Sequence, residues 1–144
     1  MDPLHHLKKI MLGRKCSFKL GNVHPDEVES IISSLNNSTA YGLDFIDTYA
    51  IKLIKKEILP AVTHIINLSI SSRTFPEAWK KVKIIPLHKT DDLLNPKNYR
   101  PVAIIPILSK ILEKVISNQM TKYLTENALI HPNHTEQITI LPLH

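Results

Sequence analysis

Cysteine is nearly missing from this chain: Cys16 is the only one in 144 residues, so no intrachain disulfide can close and no cysteine-based zinc site can assemble. A reducing compartment fits that usage, with Cys16 expected as a small, partly buried hydrophobe near the start of a domain. Glycine is scarce too, and the three at positions 13, 21 and 42 cannot form a phosphate-cradling loop. No segment approaches the ~20 apolar residues of a membrane span, and the N-terminus, with Lys8 and Lys9 after two histidines, lacks the apolar centre of a signal peptide. These absences predict a soluble intracellular protein, with nucleus and cytoplasm left open. Aspartate does not recur after Asp92.

What is present describes an ordinary globular chain, 43% hydrophobic and 22% charged, without internal repeats or long low-complexity tracts. Its length suits one domain able to bury about two-thirds of its unfolded surface. The net charge of +5 is unevenly placed. Residues 73–123 carry ten basic and four acidic side chains, net +6, which leaves −1 for the remainder. A surface of that kind attracts phosphate, although a lysine-rich solvated face is the commoner explanation of such a surplus.

Along the chain, residues 1–20 show no clean periodicity and read as a leader with at most one helical turn. From Pro25, Val28, Ile31, Ile32 and Leu35 fall at helical spacing, acidic residues occupy the first turns, and Asn36-Asn37 closes a helix expected over 25–36. Tyr41-Gly-Leu-Asp44 supplies a turn with Gly42 as its flexible position. Asp47 is placed to cap a helix running to about residue 59, and Pro60 predicts a break before a second helix that carries Val62, Ile65, Ile66 and Ser69. Phe75-Pro-Glu-Ala-Trp79 forms an aromatic turn whose rings are expected to pack on the preceding helices. Residues 83–88 read as a strand with an edge or bulge at Pro86, and 102–105 as its partner across an irregular turn containing Asn95-Pro96. Apolar residues at 108, 111, 112, 115, 116, 120, 123 and 124 define a long helix over 107–126, with Asn127 expected to end it in the left-handed conformation. Residues 138–144 read as a divergent tail. The fold class is mainly α with a small β-hairpin, α+β.

Lys83, Lys89, Lys97 and Arg100 flank the expected hairpin. Arginine grips phosphate through two parallel hydrogen bonds and lysine adds a mobile point charge, so the set suits a polyphosphate or nucleic-acid backbone; a solvated edge that resists aggregation is the competing interpretation. Pro101 biases Arg100 towards an extended backbone, which presents its guanidinium to an anion or pairs it with Asp91 or Asp92. The histidines lack the spacing and companions of a metal site, the nearest approach being His131 and His134. No Ser-His-Asp or Cys-His arrangement is defined by spacing.

The ordered motifs Tyr41-Gly-Leu-Asp-Phe-Ile46, Thr74-Phe-Pro-Glu-Ala-Trp-Lys80, Ile84-Ile-Pro-Leu-His-Lys89, Asn98-Tyr-Arg-Pro-Val102 and Leu108-Ser-Lys-Ile-Leu-Glu113, with the helix from Val28 to Leu35, resemble the reverse transcriptases of non-LTR (LINE-type, jockey-like) retrotransposons. The resemblance runs from about Phe18 to Gln137. It implies a leader at 1–20, a partial fingers subdomain of a right-hand polymerase at 21–137 with the palm missing, and a tail at 138–144 arising by frameshift or truncation. In that family basic fingers residues contact the incoming triphosphate and the template, and Lys89 and Arg100 occupy those motif positions. A second basic residue and a glycine usually follow the first, where this chain has Thr90-Asp91-Asp92. The family uses Mg2+ through palm aspartates, including a Tyr-x-Asp-Asp motif, that have no counterpart here, so no catalytic residue, metal site or cofactor is expected. The implied function is a truncated RNA-directed DNA polymerase, inactive alone. The alternative is a co-opted, non-catalytic module that uses its basic face to bind RNA or DNA weakly and without specificity. A missing palm also predicts an apolar strip at Leu112, Val115 and Tyr123 through which the fragment self-associates.

Overall fold

The computed structural model describes residues 17–127 and 129. Cys16, the first part of the leader, His131, His134 and the 138–144 tail lie outside that range. The first helix, α1 (Pro25–Ser34), begins with proline at a position whose N–H has no helical partner, behind the N-cap His24. It ends two residues before the expected boundary because Leu35 turns extended, with φ −63° and ψ 137°. Lys52 donates from Nζ to the freed Leu35 carbonyl and to Asn37 Oδ1, the latter at 2.9 Å. A cation thus caps the negative end of the helix.

Asp47 caps α2 (Thr48–Leu53) as expected, its Oδ1 accepting from the Ala50 N–H at 2.7 Å. The interruption before α3 (Lys55–Ser72) falls at Ile54, not at Pro60, which lies inside α3. Proline removes one hydrogen bond and crowds the carbonyl four residues earlier, that of Lys56, so the strain falls on the turn just after the break. α3 closes with Arg73 in the left-handed conformation, φ 55°, and Thr74 N–H returning to the Ser69 carbonyl at 3.1 Å.

After a 3-10 turn at Glu77–Trp79, the hairpin strands β1 (Lys83–His88) and β2 (Tyr99–Ile104) pair antiparallel from Lys83↔Ile104 to His88↔Tyr99. β2 begins three residues earlier than the sequence pattern suggests because Pro101 faces Pro86. Neither can donate across the ladder, so theirs is a non-hydrogen-bonded pair, consistent with Lys89 N–H bonding the Asn98 carbonyl at 2.8 Å three positions away. The final helix, α4 (Ile107–Glu126), matches its expected bounds. Asn127 ends it with φ −92° and not in the left-handed region; its side-chain amide donates to the Tyr123 carbonyl at 2.8 Å instead.

Helix α1 contacts α2, α3 and α4 and is the centre of the helical part. Val28, Ile31 and Ile32 meet Ile51 of α2, Val62 and Ile66 of α3, and Ile107, Ile111, Leu112 and Val115 of α4 in one buried cluster. Phe75 and Trp79 pack against it and meet each other edge-to-face, 6.3 Å between centroids. The expected exposed strip at Leu112 and Val115 is therefore incorrect: they are 1% and 0% accessible because that face of α4 lies on the cluster. Tyr123 is half-buried and meets Phe18 at 5.2 Å. The exposed apolar side chains lie elsewhere, among them Leu43, Phe45, Leu53, Ile84, Leu87 and Leu94.

Two side-chain amides hold the segment before α1. Asn67 of α3 accepts from Val23 N–H at 2.8 Å and donates to the Val23 carbonyl at 3.1 Å. Gln119 of α4 does the same for Gly21, at 2.8 and 2.9 Å. Backbone groups that lie outside any helix or strand ladder are satisfied in this way.

Candidate nucleic-acid interface

Side chains alternate between the faces of a strand. Lys83, Ile85 and Leu87 consequently share one face of the hairpin with their partners Ile104, Val102 and Arg100, and Lys89 continues that face beyond β1. Arg100 lies opposite Leu87, next to Lys89 along the same face. Lys97 stands in the connecting 3-10 turn Pro96–Asn98, with Asn95 Oδ1 accepting from its N–H at 3.0 Å. The four basic residues separate into Lys89, Lys97 and Arg100 at the distal end and Lys83 at the root. Four residue steps of strand, about 13 Å, separate Lys83 from Leu87.

The turn that carries these cations is tied by its own hydrogen bonds. Asn98 Nδ2 donates to the Asp92 carbonyl at 3.0 Å, Tyr99 Oη donates to the Leu93 carbonyl at 2.9 Å, and Asp92 Oδ1 accepts from Leu94 N–H at 2.9 Å. His88 packs edge-on against Tyr99, 5.2 Å between centroids, and its Nε2 lies 3.1 Å from the Asp91 carbonyl oxygen. The ion pairs among the described residues are elsewhere: His24–Asp26, Lys55–Glu29, Lys80–Glu77 and Lys122–Glu126. The pairing of Arg100 with Asp91 or Asp92 that the sequence left open is not formed. Arg100, Lys89 and Lys97 are exposed cations on a frame tied by hydrogen bonds.

Sequence reasoning missed Tyr41. Lys83 Nζ lies 4.8 Å from the centre of its ring, a cation–π contact. The turn is held at the hairpin root by Gly42, where a Cβ would stand 3.1 Å from Pro106 N and 3.3 Å from the Ile105 carbonyl carbon. Gly42 accommodates this close approach, where any Cβ would make the neighbouring backbone give by a few tenths of an ångström; the positive φ of the turn falls on Phe45 instead. Its sequence signal was weak: an aromatic residue within a polar connection.

A cavity of about 710 Å3 lies apart from the hairpin, lined in part by Phe18, Lys19, Ile70, Arg73, Phe75 and Leu112. Among the described residues, no three His, Cys, Asp or Glu side chains gather where they could hold a metal ion.

No family model matches the chain. Curated relatives do. The RNA-directed DNA polymerase from mobile element jockey of Drosophila melanogaster is 34% identical over 105 residues, covering 72% of this chain and 12% of that protein. The probable RNA-directed DNA polymerase from transposon BS of the same organism is 26% identical over 119 residues, covering 82% and 13%. The jockey protein of Drosophila funebris is 31% identical over 96 residues, covering 66% and 10%. The chain thus spans only about an eighth of the length of the first of these relatives. Its similarity to several such proteins across most of its own length makes it a member, as a short segment, of the jockey-type retrotransposon RNA-directed DNA polymerase family.

Proposed function

We propose that the chain is a fingers-type piece of a retrotransposon reverse transcriptase that binds nucleic-acid backbone through its hairpin and transfers no nucleotide by itself. The observation that carries this reading is the placement of Lys89 and Arg100 on one face of a hydrogen-bonded hairpin, without carboxylate partners among the described residues. Arg100 supplies a planar, two-pronged donor and Lys89 a mobile ammonium, with Lys97 adding charge at the turn. By family resemblance these groups face triphosphate or template phosphate. Two-metal nucleotidyl transfer needs carboxylates that clamp both cations, and Asp91 and Asp92 are adjacent residues on a turn, not a converging set.

The test is binding of single-stranded RNA by the full chain over a range of salt. Sequence-independent association of roughly 10⁻⁴–10⁻⁶ M near physiological salt is expected. The double variant Lys89→Gln/Arg100→Gln should weaken it and flatten the dependence of log K on log salt, because fewer counterions are released. Unchanged affinity and slope in a folded double variant would reduce the hairpin to a solvated edge.

A further inference from the structure

Tyr41 and Phe45 lie within one turn, ring centroids 5.6 Å apart and planes 36° from parallel. Phe45 is 78% exposed and holds φ 58°. That left-handed conformation is strained for a bulky side chain and is ordinarily given to glycine. A turn that only reverses the chain gains nothing from an uncovered phenylalanine at such a position. Strain of this kind persists where the surrounding structure enforces it, and Gly42, wedged against Ile105 and Pro106, anchors the turn to the hairpin root. The Tyr41 ring carries the Lys83 ammonium, and Lys83 shares its hairpin face with Arg100 and Lys89.

We propose that Tyr41 and Phe45 form a stacking platform for an unpaired nucleobase. Single-stranded polynucleotide would lie along the hairpin face, with a base on Phe45 and its phosphates directed to Lys83, Arg100 and Lys89. Every base offers a π-face, so an exposed aromatic beside a basic track recognises single strands without reading sequence. The span from Lys83 to the Arg100 position, about 13 Å, equals roughly four nucleotides at a stacked rise of ~3.4 Å. Charge favours this occupant over an apolar protein surface, which would have to desolvate the Lys83 ammonium held over the ring. The inference rests on the phosphate-binding reading of the hairpin and adds base recognition to it.

The experiment compares labelled oligo(dT) with an abasic deoxyribose-phosphate oligomer of equal length and charge, using the full chain at several salt concentrations. The base-bearing oligomer should bind about tenfold more tightly, the effect of one modest stacking contact. Phe45→Gly should abolish that preference while raising the melting temperature, since glycine relieves the strain; Phe45→Trp should retain it. Equal affinity of the unaltered chain for both oligomers, with normal salt dependence, overturns the platform and leaves the hairpin reading standing. A base preference without salt dependence does the reverse, and no binding to either oligomer overturns both. A preference that survives Phe45→Gly, as expected if these rings receive a protein instead, also overturns the platform.

Discussion

Pro86 stands directly opposite Pro101 at the centre of the hairpin, each on an edge that has no further strand among the described residues. In a non-hydrogen-bonded pair the backbone groups of both residues point away from the partner, so the missing N–H of each proline falls on an open edge. An incoming strand meets a gap in its ladder on either side. This arrangement lets Ile84, Ile85 and Leu87 remain exposed without presenting a continuous template for strand addition.

Replacing both prolines, Pro86→Val/Pro101→Val, should therefore create concentration-dependent association through the hairpin. Sedimentation of the double variant beside the parent checks it. An unchanged distribution over the same concentration range would show that the prolines do not guard the edges.

Asn67 holds a nearly buried backbone unit, whereas the equivalent clamp on Gly21 is exposed. Asn67→Ala should cost about 2 kcal/mol, the desolvation penalty of stranded groups, while Gln119→Ala should cost less than about 1 kcal/mol because water replaces the amide. Chemical denaturation of both variants measures the difference. Equal losses would contradict the burial argument.

Thr63 Oγ1 is buried and has no hydrogen-bond partner among the described residues. Thr63→Val keeps the shape and removes the unpaired hydroxyl, so a gain of about 1 kcal/mol is expected in the same unfolding assay. A loss of that size would reveal a partner for the hydroxyl.

On a primed RNA template with Mg2+ or Mn2+, the chain should add no nucleotide. Primer extension against a no-protein control provides the measurement, and extension that persists through stringent purification would refute the reading of an inactive segment.

Self-association of the parent chain is expected to be governed by the exposed apolar side chains Leu43, Leu53, Leu87 and Leu94 and not by Leu112 or Val115. Leu53→Lys/Leu94→Lys should lower association and leave the melting temperature nearly unchanged, because neither side chain belongs to the buried cluster. Concentration-dependent light scattering combined with a thermal melt distinguishes this from a general loss of fold.

The sequence by itself determined the features that depend on neighbours a few residues apart. Val28, Ile31 and Ile32 share a face because a helix repeats every 3.6 residues, Asp47 caps because its carboxylate reaches the N–H of Ala50, and Asn95-Pro96 turns the chain between two β-branched runs. The basic composition of the hairpin was legible for the same reason. Only the tertiary structure decided which competing local preference prevailed. Pro60 broke no helix at its own position, Pro101 entered a strand because Pro86 faced it, and Leu112 and Val115 turned inward because α1 lay there to receive them. Lys83 was separated from Arg100 by a strand register, and Tyr41 was brought beneath Lys83 from more than forty residues away by the contact of Gly42 with Pro106. The amide clamps on Gly21 and Val23 join positions 98 and 44 residues apart. Such contacts arise from the surfaces that folding brings together, and no periodicity or short spacing along the chain encodes them.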